Sequence, residues 1–91
     1  MDEKRRDIRR RVVEYMARAS ADERERAILA INDSMIQAVM RARYIDGLHL
    51  MEIADGLYYS EGHVKRLHKR GLIAIGAEID AAERRGANEN T

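Results

Sequence analysis

The chain has 91 residues, of which 36% are charged and none is Pro, Cys, Trp or Phe, and its net charge is +1. That length supports one small domain, which buries only about 60–65% of its unfolded surface. Without Cys there is no disulfide or thiolate metal site, and a reducing compartment is permitted. No apolar run is long enough to cross a membrane, and the charged start MDEKRRDIRR does not read as a secretory signal.

The absence of Pro and the scarcity of Gly favour helices over a turn-rich β fold. Residues 3–19 read as a first helix, with Ile8, Val12, Tyr15, Met16 and Ala19 on one apolar stripe and bases opposite. Ser20, with Glu23 three residues on, has capping-box spacing and starts a second helix over 21–31 through Ala27, Ile28 and Ile31. Asn32-Asp33-Ser34 offers N-cap chemistry, so a break is expected there. A third helix follows over about 34–45, with Met35, Val39 and Ala42 inside and Ile36 and Met40 beside them. One continuous helix over 21–45 is the alternative.

Asp46-Gly47 ends the third helix with a residue suited to left-handed geometry. A short fourth helix is expected over about 49–57, and Ser60 caps a fifth with Glu61 in its first turn. Val64, Leu67, His68, Gly71, Leu72, Ile75 and Ile79 keep one face of that helix to about residue 82. The stretch 86–91, GANENT, has nothing to bury and is expected to be disordered. The expected fold is therefore all-α: a single helical domain over 1–85 with a helix-turn-helix at about 48–72 and a long recognition helix.

Residues 44–72 carry the functional signal. With Ala54 as the small residue where two helices cross, Ile53, Leu57, Tyr59, Val64 and Leu67 fall at the inward positions of a two-helix unit around a short turn. The outward residues of the second helix are Glu61, Gly62, Lys65, Arg66, Lys69 and Arg70. Such a stripe is able to enter a major groove and meet phosphates. Four bases and one acid give residues 60–70 a local charge of +3, and six bases against three acids give residues 1–11 the same. Distribution matters more here than the net total. The N-terminal run KRRDIRRR is open to two readings, a grip on phosphates or the wet side of an amphipathic helix.

From Ile31 to Leu72 the chain resembles the region 4 helix-turn-helix of bacterial sigma factors, and more closely the small phage-encoded regulators built on that module. The residues that carry the resemblance are Arg43-Tyr44-Ile45-Asp46-Gly47-Leu48, Glu52-Ile53-Ala54, Tyr59-Ser60-Glu61 and Val64-Lys65-Arg66-Leu67-His68. The family has Gly in the turn, where this chain has Tyr58. Because a Tyr at positive φ is unfavourable, a reshaped turn is expected, with Gly56 taking up the bend. Gly62 stands where family members place a long polar base-reading side chain. It weakens direct readout there and lets the backbone come closer to DNA.

The resemblance places Ser60, Glu61, Lys65 and Arg66 at base edges or nearby phosphates, and Lys69 and Arg70 along the backbone. It implies a cytoplasmic, DNA-binding transcriptional regulator of phage or prophage origin whose partner is double-stranded DNA. One such module is small for tight specific binding. Two remedies are implied, self-association as a homodimer or partnership with RNA polymerase. The apolar faces Ile8, Val12, Met16 and Leu72, Ile75, Ile79 could serve within one chain or between two. Two other readings stay open: a DNA-packaging recognition subunit, and a helical protein-interaction module that has lost DNA binding.

Other chemistry finds little support. His63 and His68 lie five residues apart, about 140° around a helix, so with His49 they make no metal set; His68 is expected half-buried and the other two at the surface. Glu52 has no paired carboxylate or nucleophile and reads as a surface or intramolecular pairing residue. Tyr59 is expected in the core and Tyr58 over the turn, rather than stacking on bases. Neither an enzymatic activity nor a cofactor is implied.

Overall fold

Side-chain caps decide where the first half of the chain turns. A computed structural model describes the backbone of residues 2–89 and the side chains of residues 7–85. In it, α1 spans Asp2–Arg18, α2 Ala21–Leu29, α3 Ser34–Tyr44, α4 Leu50–Leu57 and α5 Glu61–Glu89; among the described residues there is no strand. The Ser20 hydroxyl accepts from the Glu23 N–H at 3.2 Å, and the Glu23 carboxylate accepts from the Ser20 N–H at 3.1 Å. The Ser20 N–H bond, and after it the Ser20 side chain, hold the Glu23 carboxyl below its ordinary pKa. Asp33 caps α3 by accepting from the Met35 and Ile36 N–H groups at 2.9 and 3.0 Å. The break at 30–33 is therefore real, and the continuous-helix alternative is excluded.

Gly47 takes the left-handed turn after α3 at φ 75°. α5 runs to Glu89, seven residues past the end that burial alone suggests. Residues 81–85 are exposed, so the extension rests on helix-forming Ala, Glu and Arg rather than on packing. The stretch expected to be disordered is helical as far as Glu89, and residues 90–91 lie outside the described ones.

The core joins all five helices. Val12 and Met16 of α1, Ile28 of α2, Val39 and Met40 of α3, Ile53 and Ala54 of α4, and Val64, Leu72 and Ile75 of α5 are all at most 3% exposed. On α3 the emphasis differs from the expected stripe. Ile36, Val39 and Met40 are buried, whereas Met35 and Ala42 are only partly so, because Met40 is the residue that meets α5. The apolar faces of α1 and distal α5 pack on each other within the chain.

One side chain ties three elements. Arg24 on α2 donates from Nε to the Met16 carbonyl at 2.6 Å, from Nη2 to the Ala17 carbonyl at 3.3 Å and from Nη1 to the Tyr44 carbonyl at 3.2 Å. These carbonyls end α1 and α3, where backbone acceptors lack helical partners and the helix dipole favours a cation. Arg41 and Glu25 add a charge-assisted pair between α3 and α2, with an N–O distance of 2.7 Å.

Close approach to α5 depends on two glycines. A Cβ on Gly71 would overlap Sδ and Cγ of the fully buried Met40, and one on Gly76 would lie 2.7 Å from Ile8 Cγ2. At an ordinary helix interior, Gly→Ala stabilises by about 1 kcal/mol. Here Gly71→Ala should instead destabilise by about 1–3 kcal/mol, the cost of overpacking. Urea denaturation followed by circular dichroism checks the sign. Adding Met40→Ala should recover part of the loss, giving a non-additive double-mutant cycle.

Candidate nucleic-acid interface

The helix-turn-helix consists of α4, the turn at 58–60 and the start of α5. α4 starts with the Glu52 carboxylate accepting from the His49 N–H at 2.9 Å, so Glu52 serves as a local cap. The His49 side chain makes no cap bond. Ile53 and Ala54 are buried and Leu57 half-buried, which sets the inner face of α4 against α5.

The turn departs from expectation. Tyr58 itself takes the left-handed conformation, at φ 59° and ψ 36°, while Gly56 stays inside α4. The Tyr58 N–H donates to the Asp55 carbonyl at 3.4 Å and the Tyr59 N–H to the Ala54 carbonyl at 3.0 Å. This is the Schellman arrangement, which needs positive φ at the first residue past the helix. Gly56 lies too early to supply it. The Tyr58 side chain is 95% exposed and does not pack over the turn. Tyr59 turns inward, half-buried against the core, and meets the His63 ring edge-on at 4.7 Å. His63 is accordingly half-buried rather than a plain surface residue.

Ser60 starts α5, its hydroxyl accepting from the His63 N–H at 3.1 Å. Ser60, Glu61, Gly62, Lys65, Arg66, Lys69 and Arg70 are all exposed. At 3.6 residues per turn, Gly62, Arg66 and Lys69 share the centre of the face opposite buried Val64, Leu67 and Ile75. Lys65 and Arg70 flank that face on its two sides. Residues 60–70 run about 15 Å along the axis, and a major groove about 12 Å wide admits the cross-section of an α-helix. Lys65 pairs with Glu61 at 3.2 Å, both partly exposed, so one positive charge of the stripe is locally screened. The Arg66 guanidinium lies 3.8 Å from where a Gly62 Cβ would stand, so Arg66 borders the space a side chain at 62 would enter.

One contact between α3 and α5 has no signal in the sequence. Tyr44 Oη and His68 Nε2 are 2.8 Å apart, with the two rings stacked at 5.7 Å. Burial, aided by the nearby Arg43 charge, lowers the His68 pKa below 6.5, and burial raises that of Tyr44. The pair is therefore a neutral hydrogen bond at pH 7 between α3 and α5. With His68 turned inward, Lys65, Arg66 and Lys69 are held outward. Among the described residues no three His, Asp or Glu side chains form a metal-binding group, and no helix is long and apolar enough to cross a membrane.

Two outcomes are expected here. Tyr58→Gly should raise stability by about 0.5–1 kcal/mol, the left-handed penalty less the entropy glycine adds to the unfolded chain. Tyr58→Ala should change little, because the lost ring touches almost nothing; thermal unfolding of both variants checks this. The second outcome concerns pH. The folded state binds a proton at His68 more weakly than the unfolded chain does, so stability is full above pH 6.5 and declines as pH falls towards the lowered folded value. Tm measured from pH 7.5 to 5.5 should show this decline, and His68→Phe should flatten it.

Residues 36–75 match the family model of sigma-70, region 4. The match begins in α3, covers α4 and the turn, and ends in α5 at Ile75; α1 and α2 lie outside it. No curated protein and no solved structure matches the chain. Sigma-70 region 4 is a DNA-binding family, and residues 36–75, a little under half of the chain, are similar to it; the described residues are all-α and contain a helix-turn-helix within that stretch.

Proposed function

We propose that this protein is a DNA-binding transcriptional regulator that reads double-stranded DNA in the major groove through α5. The observation that carries the reading is the exposed face of α5. There Lys65, Arg66, Lys69 and Arg70 stand with Glu61 as the only acid of residues 60–70, on a helix-turn-helix matched to sigma-70 region 4. Ser60, Glu61, Gly62, Lys65 and Arg66 face base edges and the adjacent phosphates. Lys69 and Arg70 follow the backbone further along. Arg66 is the strongest candidate for a two-pronged contact to guanine O6 and N7, because its guanidinium sits beside the open surface at Gly62. Glu61 can accept from a cytosine N4 amino group once Lys65 turns to a phosphate.

The reading extends to a cytoplasmic protein of phage or prophage origin, working as one helical domain over 1–85, without enzymatic activity or cofactor. RNA polymerase is the second partner the family suggests. A homodimer would set two half-sites about one helical turn apart. Internal use of the α1 and α5 apolar faces leaves any dimer to form through another surface. One observation favours the protein-interaction reading: Ile45, Leu48 and Met51, on and beside the α3–α4 connection, are exposed apolar side chains.

Charge reversal at Lys65 and Arg66 together should abolish duplex binding at about 150 mM salt while the helical circular dichroism signal is kept. Fluorescence anisotropy against a selected duplex reads the result. Unchanged affinity would overturn the reading. Loss of binding confined to one selected sequence, with weak salt-sensitive binding to all duplexes retained, would assign these residues to base readout rather than to charge alone.

A further inference from the structure

The three successive arginines of α1, Arg9, Arg10 and Arg11, do not share a fate. Arg11 crosses to distal α5 and meets Asp80 at 3.8 Å and Glu83 at 3.7 Å. The groove on that side of the α1–α5 seam also has Glu14, Glu23 and Arg18 in its walls, so four acids there outnumber two bases. Arg9 and Arg10 lie on the other side. With Lys65, Arg66 and Lys69 of α5 they rim a second groove, floored by apolar side chains of α1, α4 and α5. Among the described residues no carboxylate lines it. Asp7 lies 3.7 Å from Arg10 and Glu61 3.2 Å from Lys65; both pairs are largely solvent-exposed and so weakly held.

We infer that α1 is the second wall of the DNA-binding surface, with Arg9 and Arg10 binding duplex phosphates beside the groove that α5 enters. The inference rests on the duplex-binding reading above and adds a helix that lies outside the sigma-70 region 4 match. Five cations from two helices around one concave surface concentrate positive charge there. Such a surface suits a polyanion, and duplex DNA carries one negative charge per about 1.7 Å of its axis. The three cations from α5 belong to the proposed interface already, so a duplex seated on α5 brings its backbone to the α1 wall. A phosphate contact fixes register and orientation without reading sequence. α1 thus supplies affinity and alignment, and α5 the sequence preference.

The test uses the full chain and a duplex selected for binding, with affinity followed from 50 to 200 mM salt. Arg9→Ala/Arg10→Ala is compared with Arg11→Ala, and thermal unfolding confirms that each variant is folded. Two lost phosphate contacts lower the salt slope by about 1.8, so the affinity ratio across that salt range should shrink by about tenfold. The preferred sequence should not change, and Arg11→Ala should keep the wild-type slope. A wild-type slope in Arg9→Ala/Arg10→Ala, alongside firm duplex binding by the wild type, would overturn this inference and leave the α5 reading standing. A wild type with no duplex affinity would overturn both. Equal slope losses in the Arg10 and Arg11 single variants would also overturn it, since general charge rather than the groove would then be responsible.

Discussion

α5 serves two purposes along one axis, and both depend on how closely α3 and α1 approach it at Gly71 and Gly76. Its inner face supplies Val64, Leu67, Leu72 and Ile75 to the core, and its outer face carries the basic stripe. Met40 sits against Gly71, and Ile8 and Val12 sit against Gly76, so two helices are seated on one rod at successive levels. A side chain at either notch would push a neighbour outward and tilt the rod. Because packed interiors have few voids to absorb such a shift, the basic half of α5 is aimed by contacts made further along the same helix. The Tyr44–His68 pair then sets the rotation about that axis.

The turn shows a different balance. A left-handed residue is required after Leu57, and glycine would supply it without steric cost. This chain has Tyr58 there instead, with its ring in solvent. The strain is local, and backbone bonds to Asp55 and Ala54 together with the inward Tyr59 hold the turn in shape. Nothing in the fold gains from the phenol. It stands at the entrance to α5, beside Ser60 and Glu61, with its ring in solvent.

What was legible in the sequence was local or periodic. Ser20, Asp33 and Ser60 announce their helices because a cap needs only a side chain and the next turn of backbone. The inner stripes of α1 and α5 follow from helical spacing, as does the outward position of Lys65, Arg66, Lys69 and Arg70. What was not legible involves partners far apart in the chain. Arg24 looks like any surface arginine until the ends of α1 and α3 meet around it. Tyr44 and His68 were each visible, but not their pairing across 24 positions. Tyr58 was misread because steric preference argued against positive φ, while the Schellman turn demanded it there. Gly71 was placed on the inner face, yet its role as a notch for Met40 needed the third helix to be seen.

Electrostatics shows the same division between local and global. A net charge of +1 gives almost no long-range attraction to a polyanion, yet at physiological salt a charge acts over only about 8 Å. On that scale the α1–α5 seam has two unlike sides. Arg11 faces Asp80 and Glu83 on one, and five cations line the other. For the duplex partner proposed above, a surface of this kind gives weak attraction in most orientations and stronger attraction in one. On that proposal the acids that cancel the net charge add to selectivity of approach, because they disfavour docking on the other side of the seam. The triple-arginine run on α1 illustrates the point within a single turn of helix: the helical period sends Arg11 to one groove of the seam and Arg9 and Arg10 to the other.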